Sequence, residues 1–361
     1  MAKFHPLQVA EITQETPDCV SVVFDVPESL KSEYQYIQGQ YLTLKMNVDG
    51  EEIRRSYSLC SSPVTEKELR VAVKMVANGK GSTWINKKLN IGETVDVMTP
   101  MGNFYSKLDA GNKKHYVLFA GGSGITPMFS ILKSVLATEP NSKITLIYGN
   151  RDEQSAIFKK QIDELAKNNA ARLTVIHVME NPPAGTDALY TGMLLPEKVK
   201  AIFDKHIGLS NDNEYFICGP GPMMENVKKV LADIKAPTDK THIEYFSAVI
   251  EAVAAAEKSS NAAPTGKFVS KVTIILDGAE TKFDIPSDGM TILDTAIQVK
   301  MDVPYACKGA VCCTCRAKVL EGKATMAMNY ALTEQEVADG YVLTCQAHPA
   351  TETLVVSYDE P

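Results

Sequence analysis

The sequence predicts a multidomain protein in three parts: an N-terminal antiparallel β-barrel, an α/β domain on a parallel sheet, and a C-terminal α+β domain. Three observations carry this reading. The first third is a series of short β-rich stretches broken by turns, and the middle alternates apolar strand, glycine loop and helix. Near the end, four of the eight cysteines crowd between Cys307 and Cys315. At 361 residues the chain exceeds one ordinary core, since domains average roughly 150 residues. Its 45% apolar and 22% charged residues are those of a soluble globular chain rather than a disordered or fibrous one. Apolar runs such as 116–120 fall far short of the roughly 20 residues a membrane helix needs, so no membrane partner is expected.

Residues 1–110 carry the barrel. Stretches 20–26, 40–46, 69–75 and 94–98 are β-rich and closely spaced, the pattern of a small barrel. Arg55-Ser-Tyr57-Ser58-Leu59 lies where a barrel strand would end, and Gly79-Lys-Gly81-Ser82-Thr83 follows. A flavin needs an aromatic face, a hydrogen-bonding group near N5, and cationic and backbone donors for its phosphates. Tyr57, Ser58, Arg55 and the 79–83 loop can supply these in turn, the loop through N–H groups at a helix start. The same residues also fit a surface strand ending in a salt bridge and a simple turn.

Residues 111–249 carry the α/β domain. Strands are expected over 115–120, 144–148 and 173–178, with helices over 127–138 and near 156–166, which implies a parallel sheet covered by helices. Gly121-Gly122-Ser123-Gly124-Ile125-Thr126-Pro127 joins the first strand to its helix, with Thr126 expected at the N-cap and Pro127 at the first helical position. Such a turn aims N–H groups and a positive helix end at a pyrophosphate. No Gly-Lys-Ser/Thr follows, and Pro127 stands where the third glycine of the common dinucleotide fingerprint would be. A mere tight turn remains the alternative. Cys218-Gly219-Pro220-Gly221-Pro222-Met223 makes a second small-residue loop at the same carboxyl edge, where ligands of open α/β sheets bind. Arg151, after the second strand, is placed to meet a 2′-phosphate; its alternative is a surface ion pair with Asp152.

Residues 250–266 are rich in Ala, Ser and Asn without a sustained apolar period and read as a linker. In 267–361, two strands, 271–276 and 281–285, are joined through Asp277-Gly278, a hairpin signal. A helix follows near 291–299, with Thr291 and Asp294 spaced as a capping box. Cys307-Lys-Gly-Ala-Val-Cys312-Cys313-Thr-Cys315, with Cys345 beyond, has the C-x4-C-x2-C…C spacing of the plant-type [2Fe–2S] site. Gly309 and Ala310 lack bulk, so backbone N–H groups can approach the sulfurs. A zinc site and plain buried thiols are the alternatives; a Rieske centre would need two histidines, and His348 stands alone. Cys313 is surplus, a neighbour of the cluster or a substitute for Cys312, and Cys19 and Cys60 read as structural.

In this order, RxYS, GxxS, GGSGITP, CGP and C-x4-C-x2-C…C resemble the ferredoxin–NADP reductase superfamily, in the branch with a fused plant-type ferredoxin. The resemblance runs the length of the chain. Through 307–322 and 329–349 it resembles the reductase components of phenylacetyl-CoA epoxidases. It implies a β-grasp fold for the C-terminal part and FAD in preference to FMN, while the expected preference for NADPH over NADH comes from Arg151. It further implies a [2Fe–2S] cluster on Cys307, Cys312, Cys315 and Cys345. Arg55, Tyr57 and Ser58 would contact flavin, Gly79 and Ser82 its phosphates, and Gly122, Ser123, Gly124, Thr126, Cys218 and Gly219 the nicotinamide nucleotide. Leu59, Gly81, Thr83, Gly121 and Pro220 belong to the same segments. Glu244 and Phe246 would close over the flavin and move when nicotinamide enters, and with Tyr57, Ser58 and Cys218 they form the expected catalytic set. Gly192-Met193 departs from the Gly-Arg of many relatives, so no phosphate-binding arginine is expected there.

The implied activity is electron transfer from NADPH through flavin and cluster to an oxygenase, phenylacetyl-CoA epoxidase first. A ring-hydroxylating dioxygenase or ketosteroid hydroxylase is the second reading, and a nicotinamide redox sensor a third from another class. Residues 267–361 hold 8 basic and 13 acidic residues within a chain of net charge −7, so an acidic docking face is expected and nucleic acid is not. The N-terminus lacks the apolar h-region of a secretory signal, and the expected location is cytoplasmic.

Overall fold

The computed structural model describes residues 3–246 and 268–360. The linker expected over 250–266 lies outside them. The chain forms two compact units, one of residues 6–53 and 57–246, the other containing 268–360 with the short stretches 3–5 and 54–56.

In the first unit, strands β1 (Phe4–Thr16), β2 (Cys19–Asp25), β3 (Tyr41–Val48), β4 (Glu51–Ser58), β5 (Leu69–Lys74) and β6 (Thr94–Met98) form a sheet of order β4-β3-β6-β1-β2-β5. Its two edges meet through an antiparallel bridge between Leu59 and Val71, which curls the sheet into a barrel. β1 is not among the expected strands and β4 is expected only through its end at Arg55–Leu59, because polar and charged residues such as Glu11, Glu51 and Glu52 stand on their exposed faces and mask the apolar alternation. Leu7, Val22, Leu42, Leu59 and Val71 fill the interior, and α1 (Lys80–Lys87) closes it with Ile85.

The same unit contains a parallel sheet of β7 (His115–Gly121), β8 (Lys143–Asn150), β9 (Leu173–Met179), β10 (Asn213–Cys218) and β11 (Thr241–Glu244), ordered β11-β10-β7-β8-β9. Helices α2 (Ile125–Thr138), α3 (Lys159–Asn168), α4 (Pro196–His206) and α5 (Gly221–Asp233) accompany it, and separate apolar clusters cover its two faces. Such strands are buried on both sides and read as continuous apolar runs. The barrel is fastened to this sheet by α2. Ser130 donates to the Ser61 carbonyl at 2.6 Å, Ser134 meets Ser62 at 2.8 Å, and Lys133 pairs with Glu66 at 2.6 Å. These polar contacts explain why two sheets of different architecture fall in one unit.

Two expected details are corrected. Gly124, not Thr126, is the N-cap of α2; Thr126 and Pro127 are its second and third residues, and the Thr126 hydroxyl donates to the Ser123 carbonyl at 3.0 Å. The helix expected near 156 starts at Lys159, because Phe158 before it adopts a left-handed conformation, φ +60°.

The second unit is a mixed sheet of β12 (Val269–Leu276), β13 (Ala279–Pro286), β14 (Arg316–Glu321), β16 (Tyr341–Leu343) and β18 (Thr353–Ser357), ordered β13-β12-β18-β14-β16, beside a two-stranded sheet of β15 (Ala324–Met326) and β17 (Ala347–Pro349). β12 and β18 run parallel, as a β-grasp requires. Asp277 and Gly278 both have positive φ, 52° and 75°, the geometry of a two-residue type I′ hairpin. Thr291 caps α6 (Ile292–Gln298) by accepting the Asp294 N–H at 3.1 Å. α7 (Glu334–Ala338) opens with a reciprocal capping box between Thr333 and Glu336. Among the described residues no helix is long and apolar enough to cross a membrane.

Candidate functional site

The order of the parallel sheet reverses between β7 and β10, and the crevice outside such a reversal is where open α/β sheets bind ligands. Both glycine loops emerge there and touch. A Cβ on Gly124 would stand 2.1 Å from the Cys218 carbonyl oxygen, and one on Gly219 would stand 2.9 Å from the Gly121 nitrogen. A Cβ on Gly121 would meet Pro220 at 2.5 Å. These glycines therefore let two loops approach, whereas Gly122, at φ +51° and uncrowded, supplies a turn that other residues resist. Neither α2 nor α5 has a side-chain cap on its first N–H groups. Two positive helix starts thus point from adjacent loops into one crevice, the donor arrangement a pyrophosphate needs.

On the barrel side, Ser58 at the end of β4 donates to Glu244 Oε2 at 3.1 Å. Glu244 lies opposite Cys218 in the β10–β11 register, so the chain brings Ser58, Cys218 and Glu244 to one place. Burial pushes the enclosed Glu244 carboxyl up to about 8, with the Ser58 hydrogen bond opposing. Burial and the Glu244 charge push the Cys218 thiol well up, so it stays protonated. Tyr57 is half-buried and Arg55 exposed, while Phe246 packs partly buried on the α/β core. Leu59 turns the other way: its side chain is wholly within the barrel core and its N–H donates to the Gln40 carbonyl.

Gly79 is the N-cap of α1, again without a side-chain cap. Ser82 is directed into this loop, where its hydroxyl accepts the Val76 N–H at 3.1 Å and lies 3.4 Å from the Gly79 carbonyl. Gly81 is buried within the helix and Thr83 exposed on it. Backbone donors, rather than the Ser82 hydroxyl, face outward here. Arg151 is exposed, with its Nε 3.3 Å from Asp152 Oδ2. Sequence reasoning missed Lys74 at the end of β5, whose Nζ is 3.9 Å from where a Cβ on Gly122 would stand and 3.7 Å from Asp18. A single lysine ending a strand gives no sequence signal; only the fold carries it to the nucleotide loop.

In the second unit the four spaced cysteines stand as two pairs. The Cys312 thiol donates to Cys307 Sγ at 3.1 Å, and the Gly309 N–H donates to the same sulfur at 3.3 Å. These bonds hold Cys307 well below the usual thiol range. Hydrogen bonding between Cys315 and Cys345, with burial, pushes Cys315 well up. Two thiol pairs suit a cluster in which each of two irons takes two protein ligands. Lys308 and Ala310 both adopt positive φ, 53° and 62°, a strained loop for non-glycine residues that turns backbone N–H groups toward the sulfur. Cys313 is directed away, to the Ala331 carbonyl at 3.4 Å, and Cys19 and Cys60 are buried in the first unit.

Comparison with known proteins finds matches along the chain. Three family profiles match: an oxidoreductase FAD-binding domain over residues 6–105, an oxidoreductase NAD-binding domain over 118–229, and a 2Fe-2S iron-sulfur cluster binding domain over 274–350. The chain is similar to one of the subunits of the 1,2-phenylacetyl-CoA epoxidase of Escherichia coli (strain K12), 39% identical over 359 residues, 99% of each protein. It is also similar to the ferredoxin reductase component of 3-ketosteroid-9-alpha-monooxygenase from Rhodococcus rhodochrous, 36% identical over 98% of this chain and 96% of that one. In fold it resembles phthalate dioxygenase reductase, with a TM-score of 0.57 and 22% identity over 98% of both chains. FAD, a nicotinamide nucleotide and a [2Fe–2S] cluster are accordingly its cofactors.

Proposed function

The chain belongs to the ferredoxin–NADP reductase superfamily, in the branch with a C-terminal plant-type ferredoxin domain, and from that premise we propose that it passes electrons from NADPH to a separate oxygenase, phenylacetyl-CoA epoxidase foremost. The observation that carries the enzymatic part is the meeting of Ser58, Cys218 and Glu244 beside two uncapped helix starts in one crevice. When bound, FAD would supply the chemistry of taking one hydride, with its two electrons, and releasing those electrons singly to a [2Fe–2S] cluster; the protein binds, orients and shields. Tyr57 offers an aromatic face, Arg55 and the start of α1 (Gly79, Gly81, Ser82 and Thr83) bind flavin phosphates through a cation and backbone donors, and Phe246 covers the ring. Gly121, Gly122, Ser123, Gly124 and Thr126, with Cys218, Gly219, Pro220 and Lys74, shape the nucleotide crevice. Glu244 keeps a proton next to Ser58, where it would offset the negative charge that a bound flavin takes up with a hydride. Cys307, Cys312, Cys315 and Cys345 hold the cluster. The 36% identity to a ketosteroid monooxygenase reductase component favours a second reading, in which the acceptor is an oxygenase of that kind. Purified candidates for the oxygenase, each assayed for NADPH-driven turnover with this chain, decide between them.

The preference for NADPH rests on Arg151, which would exchange Asp152 for a 2′-phosphate. A charge-assisted hydrogen bond contributes about 1.5–3 kcal/mol, so Arg151→Ala should raise KM for NADPH roughly tenfold or more and leave KM for NADH nearly unchanged. Equal rises for both nucleotides remove Arg151 from the site.

The docking face on the partner is proposed to be basic, because residues 267–361 carry 13 acidic against 8 basic residues. Steering of this kind is screened over about 8 Å at physiological ionic strength. In anaerobic stopped-flow, electron transfer to the oxygenase should slow severalfold from low to moderate salt, while flavin reduction by NADPH changes much less. A partner-transfer rate indifferent to salt leaves the acidic residues a solubility role only. A cytoplasmic location is also proposed, since Cys307, Cys312, Cys315 and Cys345 have to stay reduced to hold a cluster, which a reducing compartment ensures.

A further inference from the structure

Beneath the cysteine loop lies a buried polar chain that no cofactor contact requires. Thr344 is wholly buried, and the Cys315 carbonyl accepts from it twice, from its N–H at 3.1 Å and its hydroxyl at 3.0 Å. A threonine hydroxyl has one proton, here directed to that carbonyl. The 2.7 Å contact between Thr344 Oγ1 and the Tyr358 hydroxyl is therefore donated by Tyr358. Burial raises the Tyr358 phenol far above its ordinary range, which keeps that proton in place. Tyr358 is itself anchored, its N–H donating to the Ile275 carbonyl on β12 at 2.9 Å, and the Thr344 carbonyl accepts from Leu293 on α6 at 3.0 Å.

Thr344 precedes Cys345 in the chain and bonds to the backbone of Cys315, so one residue joins both segments that bear the second thiol pair. We propose that Tyr358 and Thr344 are positioning residues that hold the Cys315–Cys345 pair and raise the reduction potential of the cluster it helps bind. Both hydroxyl dipoles run toward the Cys315 carbonyl and offset its negative end. An added electron makes the cluster more negative, so this offset favours the reduced state, and hydrogen bonding near the ligands is a known determinant of such potentials. A valine would fill the space of Thr344 equally well, so packing alone does not call for the hydroxyl. The proposal rests on Cys315 and Cys345 being ligands.

The test uses the full-length holoprotein and its Thr344→Val, Thr344→Ser and Tyr358→Phe variants, with the cluster titrated reductively and read by electron paramagnetic resonance. Thr344→Val should lower the reduced-to-oxidised ratio at a fixed potential about tenfold, which for a one-electron couple is about 59 mV. Tyr358→Phe should shift it the same way by less, and Thr344→Ser should restore the parent value. A parent potential and spectrum in Thr344→Val overturns the proposal, even where that variant unfolds at lower temperature. A shift in Thr344→Ser as large as in Thr344→Val also overturns it. If Thr344→Val takes up no cluster, Tyr358→Phe decides by the same criterion. None of these outcomes touches the ligand assignment, which fails separately if a Cys345 variant keeps its cluster.

Discussion

Cys345→Ser should lose the visible and paramagnetic signature of the cluster and all electron delivery to the oxygenase, while NADPH still reduces the flavin at close to the parent rate. Cys345 follows β16, is buried, and pairs with Cys315 rather than with the 307–312 pair. Its loss would leave the cluster three of its four expected thiolates, and a serine hydroxyl is a far poorer ligand at neutral pH. The hydride site is untouched because Ser58, Cys218 and Glu244 lie in the other compact unit. The same result is expected for Cys307, Cys312 and Cys315. Cys313→Ser is the contrasting case and should keep the cluster, since its thiol is directed to the Ala331 carbonyl. Full cluster content in Cys345→Ser, or its loss in Cys313→Ser, would reverse the ligand assignment.

Glu244→Gln should slow flavin reduction by NADPH about 100-fold, the lower range for removing a group that holds or moves a proton in the transition state. It should also abolish a pH dependence. Because burial lifts the Glu244 carboxyl to about 8, the parent protein carries it mostly protonated at neutral pH. Above about pH 8 it ionises, and a carboxylate beside the place where hydride delivers negative charge opposes the reaction. The parent rate should then fall about tenfold per pH unit, the slope of one ionisation. Stability has a defined sign as well. The folded value lies above the ordinary 4.5, so the native state binds the proton more tightly than the unfolded one. Stability contributed by the protonated form is complete below about pH 4.5 and is lost progressively as pH rises to about 8. Glutamine removes that loss, so thermal melts of the variant should stay level across this window where those of the parent decline. Rates of Glu244→Gln that still bend at pH 8 would assign the ionisation to another group.

Several features of this protein follow from sequence alone because the chemistry imposes a short spacing. A [2Fe–2S] cluster asks for four thiolates, three of which a tight loop can deliver, so the spacing of Cys307, Cys312 and Cys315 announces the cluster, with Cys345 as the expected distant partner. Gly121-Gly122-Ser123-Gly124 between an apolar strand and a helix is legible for the same reason. The apolar runs of β7 and β8 disclose a sheet buried on both faces.

What required the tertiary structure is whatever depends on residues far apart in the chain meeting in space. Sequence reasoning expects Gly124 and Gly219 at the nicotinamide nucleotide, and the structure adds that Gly124 is needed because the Cys218 carbonyl passes where its Cβ would be. Leu59 shares a motif with Tyr57 and Ser58 but falls on the inward side of the strand end, since side chains alternate across a strand. Lys74 reaches the nucleotide loop only because β5 ends beside it, and Ser58 meets Glu244 across 186 residues of chain. Local spacing determined which cofactors the chain can hold; long-range packing decided which atoms face them, because a strand or helix start fixes its direction only when the rest of the core is in place.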